Sequence, residues 1–445
     1  MTSNRSLLFA LALCAAGPVG AAVTPAEAAR LGHELTAVGA TATANADSSI
    51  PAWTGGQPAQ ARGDGFPHDV GIDSDRPLFV ITPGNVKRYA AHLTEGHLQL
   101  FARYQDYRMV VYPTRRTASL PEKVVDGTVL NATQCELSDA DQPVHCGLGV
   151  PFPIPHSGAE AMWNHKLRWR GAEVQRYDNQ FMVSYDGSWQ QNRVVEQLKY
   201  SYAPDGTASG RYTLVRYLAH TLAPARIADS FLLVQEHTGS SEDGRSAWVV
   251  RSNLKRVRRA PTLEYDMPYP DTDGALYYDQ VDMFSGDLDR YDWTLVGKQE
   301  LYVPYNDNHL AGRAVRYRNL LRPGHLNQEL PRYELHRCWI VDAVLKPGAH
   351  HVYARRRYYL DEDSWNIVAV DNHDATGSLR GFQEGHLVHF ATPQVTTAAP
   401  QVIYDFSRGG YFVSGAFNED KAPDFDAQWS DAYFDAASLS RLATR

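Results

Sequence analysis

Cysteine is scarce in this chain, four in 445 residues, and no two stand as Cys-x-x-Cys. That excludes a thioredoxin-type redox pair and a zinc ribbon. Three further signatures are missing: a Gly-x-Ser-x-Gly nucleophile elbow, a Gly-x-x-x-x-Gly-Lys-Ser/Thr phosphate loop and a His-Glu-x-x-His zinc pair. The best-marked hydrolase, nucleotide-binding and metalloprotease classes fall with them, and no cofactor or metal is expected. Positive charge is also short. Lys and Arg number 43 against 51 Asp and Glu, a formal net charge of −8, which is the wrong sign for gripping a phosphate backbone, so nucleic acid is not expected as a partner. Beyond the leader, no apolar run approaches the roughly 20 residues that a hydrocarbon core of about 30 Å demands, and no transmembrane span is expected.

What is there begins with an export signal. One basic residue, Arg5, precedes the apolar run Ser6–Ala16 and the small residues Gly17, Gly20, Ala21 and Ala22. Export machinery and signal peptidase read this order. Residues 1–22 are therefore expected to be a signal peptide and residues 23–445 a single periplasmic domain, with outer-membrane association an option. The run is too short for a membrane anchor. Cys14 would offer lipidation, but Leu13 before it is larger than that processing favours. An oxidising compartment would let Cys135 and Cys146, which flank the polar loop 136–145, form a disulfide; closing so short a loop contributes roughly 2–3 kcal/mol in the chain-entropy model. Two reduced thiols are the alternative. Cys338, within an apolar strand pattern, is expected as a buried thiol.

Helices come first along the chain and strands later. The capping box Thr24-Pro25-Ala26-Glu27 predicts a helix from Pro25 to about Leu35. A Gly- and Pro-rich loop follows from Asn45 to Asp75, then a helix from Pro83 to about Leu100. The second capping box, Ser157-Gly-Ala-Glu160, predicts a helix to about Trp169. Helices and irregular segments thus occupy 23–170, an antiparallel sheet 171–400, and an irregular or helical tail 401–445. The sheet rests on period-two runs at Gln180–Tyr185, Arg193–Tyr202, Arg211–His220, Trp248–Arg258, Thr294–Val303, Tyr333–Leu345, Gly348–Leu360 and Trp365–Asp371. Turn signals at Tyr185-Asp-Gly187, Pro204-Asp-Gly206 and Lys346-Pro-Gly348 separate some of them. Short connections imply antiparallel neighbours. Arg residues mixed with apolar ones on both strand faces suit a curved sheet around a cavity better than a filled sandwich.

Few clusters suggest chemistry. His350 and His351 are adjacent, so on a strand they face opposite sides and cannot share a metal. Asp371-Asn-His373-Asp374 offers an acid/base pair, with a hydrogen-bonded turn the simpler explanation. Asp361-Glu-Asp363 offers a cation site, or merely a turn between strands. The basic runs Lys255–Arg259 and Arg355–Arg357 suit lipid headgroups or an acidic partner, or else solvated strand faces with acidic neighbours.

Longer stretches carry a resemblance. Ile50-Pro-Ala-Trp-Thr-Gly-Gly56 comes first, then Val150-Pro-Phe-Pro-Ile-Pro155 with Trp163-Asn-His-Lys166, and Arg258-Arg-Ala-Pro-Thr-Leu-Glu-Tyr-Asp266. Asp289-Arg-Tyr-Asp-Trp293 with Val303-Pro-Tyr-Asn306 follows, then Glu334-Leu-His-Arg337, Leu345-Lys-Pro-Gly348 and Tyr358-Tyr-Leu-Asp-Glu-Asp-Ser-Trp365. In this order, over nearly the whole mature chain, they resemble the proteobacterial periplasmic family called domain of unknown function 1329. The resemblance implies an α+β fold similar to lipoprotein carriers of the LolA and LolB type. In that fold a large curved antiparallel sheet, an open half-barrel, has helices packed in or across its concave face around an apolar cavity. It also implies work beside an outer-membrane barrel-like protein and an efflux-type transporter, near which family members are often encoded. The family supplies no established catalytic or binding residues, so none is carried over. Cys338 stands where the family more often has an apolar residue, which favours packing.

The expected function is a periplasmic carrier or binding protein for a lipid or other hydrophobic molecule in cell-envelope transport, not an enzyme. Trp163, Trp293, Trp339, Tyr358 and Trp365 are candidates to line its cavity, with core packing the alternative for each. An enzyme acting on an envelope lipid through carboxylates and His373 predicts instead a polar cleft that gathers them. A scaffold of an outer-membrane complex predicts a filled core and an exposed apolar patch.

Overall fold

The structure is a computed structural model and describes residues 23–444 except 61–62, 69–70, 73, 139–140, 203–212, 239–243, 261–265, 271 and 273. The expected signal segment with Leu13 and Cys14, the turn at Pro204-Asp-Gly206 and part of the Arg258–Asp266 motif lie outside the described residues.

The strands are β1 (Phe79–Ile81), β2 (Met109–Val111), β3 (Glu136–Leu137), β4 (Pro143–Val144), β5 (Glu173–Val183), β6 (Trp189–Tyr200), β7 (Thr213–Ala223), β8 (Phe231–His237) and β9 (Arg245–Val250). They continue with β10 (Arg258–Ala260), β11 (Tyr291–Pro304), β12 (Tyr333–Leu345), β13 (Arg355–Asp361), β14 (Ile367–His373), β15 (Leu379–Phe390), β16 (Val395–Asp405) and β17 (Tyr411–Ala416). All but the small β3–β4 pair belong to one fifteen-stranded sheet. Two meanders, β12 to β17 and β5 to β10, join where β17 pairs antiparallel with β5. β11 runs along β12 from Tyr291↔Leu345 to Pro304↔Tyr333, and the β1–β2 pair attaches through one parallel bridge, Tyr333↔Val111. Every other ladder is antiparallel, as short connections require. The sheet stays open, with β10 as one edge, so the class is α+β with a large, mostly antiparallel sheet.

The helices are α1 (Pro25–Ala28), α2 (Glu95–Arg103), α3 (Glu122–Gln134), α4 (Gly158–Leu167), α5 (Asn308–Ala311), α6 (Tyr317–Leu320) and α7 (Ala436–Ala443). The first capping box forms, yet α1 stops after four residues; Gly32 turns the chain with φ +80°, and Leu35 bridges to Thr41. The helix expected from Pro83 resolves into two short 3-10 turns and α2. The effective N-cap is Thr94, whose hydroxyl accepts the His97 N–H. Ser157 caps α4 as expected. α3 escaped the sequence reading because its buried positions, Val124, Thr128, Asn131 and Ala132, are half polar. It ends on Cys135, which is disulfide-bonded to Cys146. Cys338 is buried, and burial, with nearby Asp361, Glu362 and Asp363, pushes its thiol well up.

β15 shows which element covers which face. Phe382 and Glu384 meet α2: His97 Nε2 lies 2.8 Å from Glu384 Oε1, and Asp371 on β14 accepts the Gly96 N–H at 2.8 Å. Between them Gln383 points the other way and donates to the Met283 carbonyl at 3.1 Å. That second face carries α4 and residues 266–288, which cross it. On the first face α7 covers β8 with Leu439, against Leu218 and Leu233. Among the described residues no helix is long and apolar enough to cross a membrane.

Gly96 lets α2 sit on the sheet: a Cβ there would stand 2.0 Å from Phe382 Cδ2. Gly96→Ala is expected to lower stability by about 1–3 kcal/mol, the usual cost of overpacking, despite alanine's better helix propensity. Urea denaturation checks it; an unchanged or raised midpoint contradicts this packing.

Candidate functional site

Strands β5 to β9 turn alternate side chains toward the face that α4 and residues 266–288 partly cover. Three neighbouring spaces lie there. A chamber of about 110 Å³ is walled by Leu198, Leu214, Val215, Val234 and Phe284 together with Lys166, Arg170, Arg176, Glu236, Arg245 and Asp282. A second of about 70 Å³ adjoins it across Arg170, Arg176, Tyr200 and Tyr217. A groove of about 550 Å³ with mixed walls runs over Val194, Ala219, Phe231 and Leu232 and over Asn192, Thr221, Arg226 and Ser252. Tyr269 belongs to the walls of all three. Its hydroxyl is bonded to that of Tyr217, which donates to Glu196 Oε1 at 2.7 Å, so a tyrosine pair stands in the wall that the two chambers share.

The chamber's charges come in linked pairs. Just after α4, Arg168 Nη2 and Arg170 Nη1 reach the two oxygens of Asp282, at 2.5 and 2.7 Å. Burial works against ionising that carboxyl, but the two guanidinium groups hold it well below the usual range. Lys166 Nζ donates to the Gly286 carbonyl and lies 3.4 Å from Glu236 Oε1. Glu236 is also held down against burial, by Lys166 and Arg245. Arg176 Nε meets Glu196 Oε2 at 2.6 Å. Among the described residues, the buried Arg170 Nε has no hydrogen-bond partner. His165 beneath them is neutral: burial, then the charge of Arg168, lowers it to about 3, and its Nδ1 accepts the Ile367 N–H at 3.2 Å. In the second chamber, burial and the neighbouring Glu196 push the Asp178 carboxyl up to about 7.

A second junction ties residues 266–288 to β13–β15. Arg356 reaches Asp279, Asn372 and Gln383. Of the basic run Arg355–Arg357, only this middle residue turns inward; its neighbours pair with Asp342.

The five motif aromatics gather elsewhere. Trp163, Tyr358 and Trp365 are fully buried, and Trp293 and Trp339 pack against the same cluster. Trp365 donates to the Val38 carbonyl at 2.9 Å and stacks on Trp339 at 6.0 Å; Trp293 and Tyr358 both meet Phe284. None lines the three spaces, whereas Leu214, Val215 and Phe284 belong to both the cluster and the chamber wall. Sequence reading missed Arg170, Arg176, Tyr217, Glu236 and Tyr269. The available signal was the placement of charged residues in phase with apolar ones along β5, β6 and β8.

The other suggested clusters are structural. His373 faces Glu95 at 2.9 Å, whereas Asp371 caps α2 and accepts from Tyr359 at 2.7 Å, so the four residues 371–374 do not converge. His351 is buried beside Asp279 at 3.2 Å, apart from the exposed His350. In the turn after β13, His336 Nδ1 lies 3.8 Å from Asp361 Oδ1, and these two with Asp363 have the spacing of a cation site. Both Asp363 oxygens are already taken by Arg116, at 2.6 and 2.9 Å, which opposes a metal there. Burial and the Asp363 carboxylate push Asp361 up to about 6.

Asp178 supplies a pH test. A carboxyl raised from 3.8 to about 7 binds its proton more tightly folded than unfolded. Its ionisation therefore destabilises the protein progressively from about pH 4 to pH 7, by up to roughly 1.4 kcal/mol per pH unit. Asp178→Asn, which keeps an acceptor for the Gly415 N–H, is expected to be more stable than the native chain at pH 8. That advantage should vanish near pH 4. Urea denaturation at both pH values checks it, and a pH-independent difference contradicts it.

Comparison with known proteins places the chain among relatives. A relative in Pseudomonas aeruginosa, an uncharacterized protein, is 38% identical over 449 residues, covering 98% of each chain. Among solved structures, a DUF1329 family protein from Desulfovibrio piger is 16% identical with a TM-score of 0.42, covering 61% of this chain and 92% of that one. A LolA superfamily protein from Nitrosomonas europaea is 8% identical with a TM-score of 0.38, covering 64% and 100%. The family model described as protein of unknown function, DUF1329, matches residues 80–440, and the chain belongs to that family.

Proposed function

We propose that this protein is a carrier or binding protein for a lipid or other hydrophobic molecule in cell-envelope transport, working in the periplasm, with its ligand seated along β5–β9. The observation that carries this reading is a chamber on the β5–β9 face with apolar walls and paired charges, which shares Leu232 and Tyr269 with a groove of mixed polar and apolar lining beside it. An apolar ligand body gains roughly 25 cal/mol per Å² buried, before association costs. The charged chamber suits a polar end. The five motif aromatics act here as the rigid support behind Phe284. The export-type leader and the disulfide support an extracytoplasmic setting. An outer-membrane barrel-like protein and an efflux-type transporter are the proposed exchange partners. The charged groups of the chamber are engaged in ion pairs, which favours binding over catalysis.

Native mass spectrometry of protein purified from its own host tests this. A lipophilic adduct released on denaturation is expected, together with uptake of a hydrophobic fluorescent probe. Ala219→Trp, which fills the groove, is expected to weaken probe binding about tenfold or more. A protein that emerges empty and takes up no probe overturns the proposal, as does an Ala219→Trp variant that binds like the native chain.

A further inference from the structure

We propose that the segment Arg251–Arg259, at the mouth of the groove, docks on an anionic lipid bilayer; this rests on the carrier reading above. Arg251, Lys255, Arg256, Arg258 and Arg259 are all exposed. Among the described residues none of the five side chains forms a hydrogen bond or ion pair. No acidic residue stands between Arg245 and Ala260. In a chain of net charge −8 this is an unusual concentration. The other basic run is matched, since Arg355 and Arg357 pair with Asp342.

Part of the pattern has a simpler cause. β10 is an edge strand, and charges on an edge discourage strand-to-strand aggregation, which accounts for Arg258 and Arg259. Arg251, Lys255 and Arg256 lie in the turn before it and guard no ladder. Leu254 stands among them with 47% of its surface exposed. An apolar side chain ringed by unpaired cations fits the interface of an anionic bilayer, where each basic residue near the surface is worth about 1 kcal/mol. An acidic protein would use the charges and leave Leu254 in water.

Position gives the patch its purpose. Arg251, Ser252 and Asn253 are themselves groove walls, opposite Ile227 and Phe231. Docking this turn on a membrane brings the groove's open side against the lipid. A hydrophobic ligand then passes from bilayer to groove without crossing water.

Flotation with phosphatidylcholine vesicles, with and without phosphatidylglycerol, tests the proposal at low and high salt. The native protein should float only with phosphatidylglycerol vesicles and be released by salt. Lys255→Glu combined with Arg256→Glu should weaken vesicle binding about tenfold or more, and Leu254→Ser should weaken it with the charges intact. Both variants should keep native probe uptake in solution. Failure of the native protein to float overturns the proposal, as does undiminished flotation of the charge variant. Binding to polyglutamate but not to vesicles also overturns it, in favour of an acidic protein. These failures are separable from failure of the carrier reading: loss of docking with probe uptake retained refutes the docking surface alone. Native protein that floats but takes up no probe refutes the carrier reading alone.

Discussion

Arg168 and Arg170, on the chain just past α4, both end on one carboxylate, Asp282, and the cavity face of the sheet depends on that junction. Three charges taken out of water tolerate one another only as a set. Withdrawing one leaves the others buried and unpaired, a far larger loss than the net worth of the bridge. Asp282 sits with φ +55°, a backbone conformation that the surrounding contacts impose. Three residues earlier the crossing segment is also held, by Arg356 on Asp279. Beside these anchors, Val281, Asp282 and Phe284 become one wall of the chamber, and β6 to β8 become the opposite wall.

The two meanders divide the work. Strands β12 to β17 are buried on both faces, by α2 with its aromatic cluster on one side and by α4 with the motif tryptophans on the other. Such close packing leaves no room for a ligand but holds α4 and the crossing segment in place. On strands β5 to β9, α7 covers one face over β7 and β8, and leaves Val195, Gln197 and Lys199 of β6 half-buried. The opposite face keeps its spaces because paired charges and tyrosine hydroxyls occupy positions where aliphatic side chains would have closed it. The same pairs place paired charges among the apolar walls of the chamber.

Much of this architecture was legible in the residues. Period-two runs located β6, β7, β11 and β12, and Ser157 located α4, because those elements have clear local signals. β15 and β16 passed unnoticed since both faces are buried and the alternation disappears, as in Leu379–Phe390, where Phe382, Gln383 and Glu384 are all inaccessible. α2 began later than Pro83 because Thr94, not the proline, satisfies the first free N–H groups. The motif aromatics drew attention to the core because large residues in recognisable motifs stand out in a sequence. The cavity residues are ordinary arginines, tyrosines and valines from separate strands. Only the register of β5 to β9, together with a distant segment contributing Tyr269, brings them to one place, and no local pattern encodes that meeting.

The central claim is that the face of β5–β9 beneath Tyr269 holds the ligand. Photo-crosslinking with a diazirine-bearing fatty acid, followed by peptide mapping, tests it most directly. Labels are expected on peptides from β6, β7, β8 and residues 266–285, and an excess of unlabelled fatty acid should compete them away. Competable labels confined to the Trp163, Trp339 and Trp365 cluster, or to surfaces remote from Tyr269, would contradict the account.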